Sequence, residues 1–174
     1  EEKQKLLRLK AEIEREIEQL NRLEQELIGL QEKINASEPS PYDIRAAGSI
    51  LHDFYNGVEA IFRRIAHELN GGIPVGQDWH KQILIDMSLN IDGVRPSVIS
   101  DELSARLHNY LGFRHVFRNV YGFLLDPERV KILSRELPNQ LFRHIGKCLV
   151  VPRVLIFCST ISITSFFHKI LKNP

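Results

Sequence analysis

Two arginines, a histidine, an asparagine and a tyrosine lie within eight residues of this 174-residue chain: Arg114, His115, Arg118, Asn119 and Tyr121. An arginine fork grips phosphate oxygens through parallel N–H donors, and an imidazole exchanges protons near neutral pH. The surrounding run, Leu111 to Phe123, is predicted to form one helix. At about 100° per residue, with Phe117 at the centre of the buried side, Phe113, Val120 and Leu124 share its face. Arg114 and Tyr121 then fall on the shoulder of that face, Arg118 just beyond it, and His115 and Asn119 on the far side. A helix needing only a solvated side more commonly carries Lys and Glu there. These residue types suit phosphate binding and proton transfer.

The rest of the chain offers little competing chemistry. His52 and His80 lack metal-ligand spacing to a cysteine or another histidine, and with Trp79 they read as structural. His67, His108, His144 and His168 form no cluster, so no metal site is expected. Phosphate-loop, dinucleotide-binding and C-x-x-C motifs are absent from the sequence, and no cofactor is expected. A net charge of +1 gives no overall basic signature, so any nucleic-acid site must be a local patch. Hydrophobic content of 43% with 26% charged residues is ordinary for a soluble domain. Cys148 and Cys158 are too few for a disulfide framework, which fits a reducing cytoplasm, and the charged N-terminal stretch lacks a signal-peptide apolar core.

The elements that must position the motif read as helices throughout. Leu6, Ile13, Leu20, Leu27 and Ile34 recur every seven residues, with Leu9, Leu23 and Leu30 at the complementary spacing. Such a seam must meet another helix, either within the chain or in a coiled coil between chains. Residues 1–37 are therefore assigned to a heptad-bearing helical arm, which stops in the short Asn35–Pro41 linker with its two prolines and small polar residues. A second helix spans about Tyr42 to Leu69 with a stripe of Ile50, Phe54, Val58, Ile61 and Ile65. Asp78 is placed to cap a third helix carrying Trp79, Ile83, Met87 and Leu89. Ser97 or Ser100 opens the central fourth helix, whose core positions are Leu103, Leu107, Tyr110, Phe113, Phe117 and Val120. Asp126-Pro127-Glu128 starts a fifth, with Val130, Leu133 and Leu137, bending at Pro138 and continuing through Leu141 and Ile145. The body, residues 42–147, is an all-α bundle. Residues 148–174 are apolar, β-branched and without an acidic residue, and they form a tail of different character. The unbroken apolar part is shorter than a membrane span needs, and the tail is expected to cover the bundle.

The stretches Gly48–Glu59, Gly76–His80, Arg95–Ser100 and above all Phe113–Phe123 resemble the HepT-like branch of the HEPN superfamily. The resemblance runs from Ser49 to about Leu137. It implies an antiparallel all-α HEPN-like bundle, here preceded by a long helical arm. It further implies a bacterial or archaeal, cytoplasmic ribonuclease toxin, paired with a minimal nucleotidyltransferase antitoxin and not with a membrane. Family members carry R-x-x-x-x-H-x-Y, and this sequence matches its arginine with Arg114 and its tyrosine with Tyr121. Asn119 stands where the family has histidine, and His115 matches the polar residue after the arginine. Two such helices meet in the family's homodimer or higher oligomer, so that both motifs line one RNA-binding cleft. The implied reaction is metal-independent: a 2′-hydroxyl attacks the adjacent phosphate, an arginine stabilises the developing charge, and a histidine moves protons. Arg114 and Arg118 are then the phosphate contacts. Asn119 cannot transfer a proton at ordinary pH, which leaves His115 as the residue best placed to do so. Tyr121 is the candidate for AMP addition by the antitoxin. The departure at Asn119 keeps open a weakened domain that binds RNA or the nucleotidyltransferase without cutting.

Overall fold

A computed structural model describes residues 1–137, and these form five α-helices and one short 3-10 turn. They are α1 (Glu2–Ile34), α2 (Pro41–Leu69), α3 (Trp79–Ser88), α4 (Asp101–Asn119) and α5 (Pro127–Glu136), with the turn at Gly122–Leu124. The helices pack as an antiparallel bundle. Among the described residues extended pairing is limited to one isolated bridge, Ile91 with Arg95. The apolar tail and the expected continuation past Pro138 lie outside the described residues. Among the described residues, no helix is long and apolar enough to cross a membrane.

The heptad seam of α1 closes within the chain. Leu9, Ile13, Leu20, Leu27 and Ile34 are buried in the same cluster as Phe54, Val58, Ile61 and Ile65 of α2. The two helices approach so closely at Gly57 that a Cβ there would meet Leu20 Cδ2 at 2.8 Å. Arg64 bridges back to Glu12 and Glu16 at 3.5 and 3.2 Å, which fixes the antiparallel register. Further along, Gln31 Nε2 donates to the Ser134 carbonyl at 2.6 Å and Arg135 Nε to Asn35 Oδ1 at 2.8 Å, so the end of α1 also grips α5.

Local chemistry sets the helix starts. Ser100 accepts from the Leu103 amide and Asp126 from the Glu128 amide, while Ser40 accepts from Tyr42 ahead of a proline-led α2. Asp78 departs from expectation: its carboxylate makes no cap and pairs instead with Lys81 at 3.0 Å. Leu89 is not a core residue of α3 but sits past its end, half exposed.

The α3–α4 connection is locked by Arg95, which is 1% exposed. Its guanidinium donates to Asn70 Oδ1 and to the carbonyls of Leu89, Pro96 and Asp86 at 2.7 to 3.1 Å. Burial lowers its pKa, but four acceptors compensate the desolvated cation. This loop determines where α3 stands relative to α4.

Two buried tyrosines make a contrast. The Tyr110 hydroxyl donates to the Leu133 carbonyl at 3.0 Å, whereas the buried Tyr55 hydroxyl has no hydrogen-bond partner among the described residues. Tyr110→Phe should therefore cost about 1 kcal/mol, while Tyr55→Phe should be neutral or stabilising. Thermal melts at pH 7 would check this. Burial raises both phenol pKa values from the ordinary 10.0, with Glu59 adding to the shift at Tyr55 and Glu136 at Tyr110. The folded state thus holds these protons more tightly than the unfolded chain. Their contribution is fully present below about pH 10 and falls as pH rises further. Tyr55→Phe should blunt that alkaline loss, and equal sensitivity in the parent and the variant would contradict it.

Candidate functional site

The apolar stripe of α2 is flanked by a polar one, His52, Asn56 and Glu59, at the spacing i, i+4, i+7 that lines one helix face. This face meets α4. Asn56 Oδ1 accepts from Arg114 Nε at 2.7 Å, and Glu59 Oε1 accepts from Arg114 Nη2 at 3.3 Å. The pair is deeply buried, with 8% of the Arg114 side chain and 6% of the Glu59 side chain exposed. Glu59 also reaches across to α3, where its Oε2 lies 2.5 Å from His80 Nδ1. On the other side, Asn56 Nδ2 lies within 3.3 Å of the His52 ring, which in turn contacts Asp53. The His52 ring also packs against Phe117 with centroids 5.0 Å apart. The result is a polar ladder from α3 through α2 to α4, with Arg114 at its centre.

Arg114, on the shoulder of the core face, is consequently buried. Its Nε and Nη2 are engaged, and Nη1 bonds no acceptor among the described residues. The Tyr55 ring lies beneath the guanidinium at 5.9 Å, which adds a cation–π contact. Asn56 and Glu59, neither singled out as a site residue, are what hold the arginine, and His80, read from sequence as structural, pairs with the other oxygen of Glu59. The spacing of His52, Asn56 and Glu59 along an otherwise apolar helix was the available signal.

His115, Arg118 and Asn119 are exposed, as their place opposite the core face requires. Asn119 donates its Nδ2 back to the His115 carbonyl at 2.7 Å, and so satisfies one of the last carbonyls of α4. The helix ends there. Val120 adopts an extended conformation (φ −121°, ψ 153°), and Tyr121 leads into the 3-10 turn. The expected single helix through Phe123 is thus too long. Folding back lets Leu125 and Phe117 close over Gly48, where a Cβ would meet them at 3.0 and 3.1 Å. Leu125 takes the buried place expected for Leu124, which is 62% exposed, and Tyr121 is 73% exposed. Among the described residues, no group of His, Cys, Asp and Glu is arranged to hold a metal ion.

The outer face of α4 therefore carries His108, Gly112, His115 and Asn119 at spacings of four, three and four, with Arg118 beside them. Gly112 brings no side chain of its own to that row, and the Arg129 guanidinium of α5 lies against it, 3.4 Å from where a Cβ would stand. Chemically, the arrangement offers one buried, fixed cation and an exposed set made of a proton-exchanging ring, an amide and a guanidinium.

Among known families, residues 46–149 match the model of a family described as HepT-like protein, more than half of the chain. No curated protein and no solved structure matches the chain.

Proposed function

The chain belongs to the HepT-like family, and from that premise we propose that it is the toxin member of a toxin–antitoxin pair and a metal-independent endoribonuclease of low activity. The observation that carries this reading is the outer face of α4, where His115, Arg118 and Asn119 stand exposed inside the matched stretch. Two copies pack along this face as a homodimer, and the two motifs form one cleft. In that cleft Arg118 binds the phosphate as a bidentate donor. Arg114 supplies positive charge from behind, through Nη1. His115 takes the proton of the attacking 2′-hydroxyl or delivers one to the leaving 5′-oxygen. The products are a 2′,3′-cyclic phosphate and a 5′-hydroxyl. The exposure of Tyr121 supports its being the site at which a partner nucleotidyltransferase adds AMP.

Two observations favour a second reading, a domain that binds RNA or the nucleotidyltransferase without cutting. Asn119 cannot exchange protons, and Arg114 is already engaged by Glu59 and Asn56.

A fluorescent single-stranded RNA assay with EDTA separates the two. The first reading expects slow cleavage that falls with His115→Ala, and with Arg118→Ala a weaker affinity as well. Both side chains are exposed, so neither change disturbs the core. RNA binding without cleavage would select the second reading, and the absence of both would remove RNA as the ligand.

A further inference from the structure

We propose that His52 is a positioning residue of the RNA site. Its neutral ring sets the Asn56 amide that holds Arg114, and a proton on the ring withdraws that hold. The functional part of this rests on the RNA reading above.

The hydrogens along this row are fixed by the groups at its two ends. A guanidinium only donates, so Asn56 turns its oxygen to Arg114, the contact seen at 2.7 Å. The Asn56 amide nitrogen then faces the His52 ring, with Nδ2 3.2 Å from Nδ1 and 3.3 Å from Nε2. An ionised carboxylate only accepts, so the ring nitrogen beside Asp53 carries the hydrogen, and Nδ1 donates to Oδ1 at 3.1 Å. The lone pair of the ring is thereby left on Nε2, where it accepts from Asn56. The neutral ring with its hydrogen on Nδ1 is the one form that satisfies Asp53, Asn56 and Arg114 together.

A second proton would sit on Nε2 and set one N–H against the N–H of Asn56. The amide avoids that opposition by turning its oxygen to the ring, and its nitrogen then faces a guanidinium that cannot accept. Arg114 would keep Glu59 and lose Asn56. The proton on His52 and the Asn56–Arg114 bond therefore oppose each other, and by linkage each weakens the other. The ring reaches solvent, with 20% of its side chain exposed. Packing also orients it, because the Phe117 ring lies 5.0 Å away and itself sits against Gly48, one turn earlier in α2. The charged groups around the ring are Asp53 on its own turn and Glu16, Arg22 and Glu26 of α1, which line one cleft with Asp53. On the other side stand Arg114 of α4 and, past it, Glu59 with His80 of α3.

Two measurements on the full chain test this. The first needs no RNA: the Arg114 Nε–H resonance, assigned by its absence in Arg114→Lys, is followed by NMR from about pH 8 to about pH 5. In the parent it should shift with the same midpoint as the His52 ring nitrogens, and the ring should carry its hydrogen on Nδ1 at the alkaline end. His52→Gln keeps an acceptor for Asn56 and takes no proton, so that shift should vanish, while any effect of His80 or His115 stays in both proteins.

The second is single-turnover cleavage of a labelled single strand of roughly ten nucleotides with EDTA, or its affinity where the parent binds without cutting. His52→Phe keeps a ring against Phe117 but offers Asn56 no acceptor, and should weaken the readout about two- to tenfold at the alkaline end, the contribution of one hydrogen bond. His52→Gln should rescue that loss and remove part of the parent's fall on acidification. An Arg114 resonance that ignores pH in the parent, or moves equally in His52→Gln, overturns the coupling. A ring with its hydrogen on Nε2 at the alkaline end overturns the assignment beneath it. The expected resonances in a protein that neither cuts nor binds RNA would keep the coupling and remove the RNA reading, the positioning role with it. RNA cut or bound with identical pH profiles in the parent, His52→Gln and His52→Phe would leave the RNA reading standing and make His52 structural.

Discussion

Replacing Asn119 with histidine should raise the rate of RNA cleavage by about a hundredfold to ten-thousandfold, the usual contribution of a positioned acid or base, with little change in RNA affinity. The position accepts the change easily. Asn119 is the last residue of α4, it is exposed, and its side chain donates to the His115 carbonyl at 2.7 Å. An imidazole there disturbs no core contact, and a positive charge is favourable at a helix C-terminus. It would stand one turn from His115 and next to Arg118, so a proton-exchanging group joins the exposed cation without displacing it. Phosphate binding and proton transfer are separable, because the first needs a fixed charge and the second a group titrating near neutrality. The measurement is the single-turnover rate against pH, with EDTA present. The variant should gain a pH dependence centred near the histidine range. An unchanged rate in Asn119→His, together with lost cleavage in His115→Ala, would make His115 the sole proton shuttle.

The sequence carried the helical plan well because each start has a local cause. Ser100, Asp126 and Pro127 act within one turn, and apolar periodicity needs no knowledge of the partner. What the periodicity cannot encode is which surface a stripe meets. The seam of Leu20, Leu27 and Ile34 reads the same whether it closes on a second chain or, as it does, on Gly57 and its neighbours in α2. The end of α4 was overextended for a related reason. Val120 and Leu124 continue the helical spacing, and only the tertiary closure of Leu125 over Gly48 explains why the chain leaves the helix at Asn119. The motif residues were visible by type, but their environments were not. Helical spacing puts Arg114 on the shoulder of the core face but cannot name its partners, because Asn56 and Glu59 stand more than fifty residues away in sequence. Glu59 alone on α2 reads as a solvated charge. Its burial becomes intelligible only when α3 brings His80 to one of its oxygens and α4 brings Arg114 to the other.

That carboxylate is where the fold and the site are most tightly coupled, and Glu59→Ala should destabilise the protein by about 3 to 5 kcal/mol. The loss comes less from the attraction removed than from the charge left behind. Arg114, with 8% of its side chain exposed, would keep only the Asn56 oxygen to compensate a desolvated cation. A drop of that size is a large share of the roughly 5 to 15 kcal/mol that stabilises an ordinary domain. It should lower the melting temperature by roughly 10 °C. Glu59→Gln should cost less, since the amide oxygen can still accept from Nη2 and the volume is kept. The discriminating variant is the double replacement Glu59→Leu with Arg114→Met, which removes both charges and fills the space. It should recover much of the stability lost in Glu59→Ala, because well-packed apolar residues often replace a buried pair without net cost. Recovery without RNA binding would mean that the ladder serves the site, by fixing a cation under α4, more than it serves the fold. A Glu59→Ala protein that melts within about 1 kcal/mol of the parent would place Arg114 in contact with water and withdraw the buried ladder from the account.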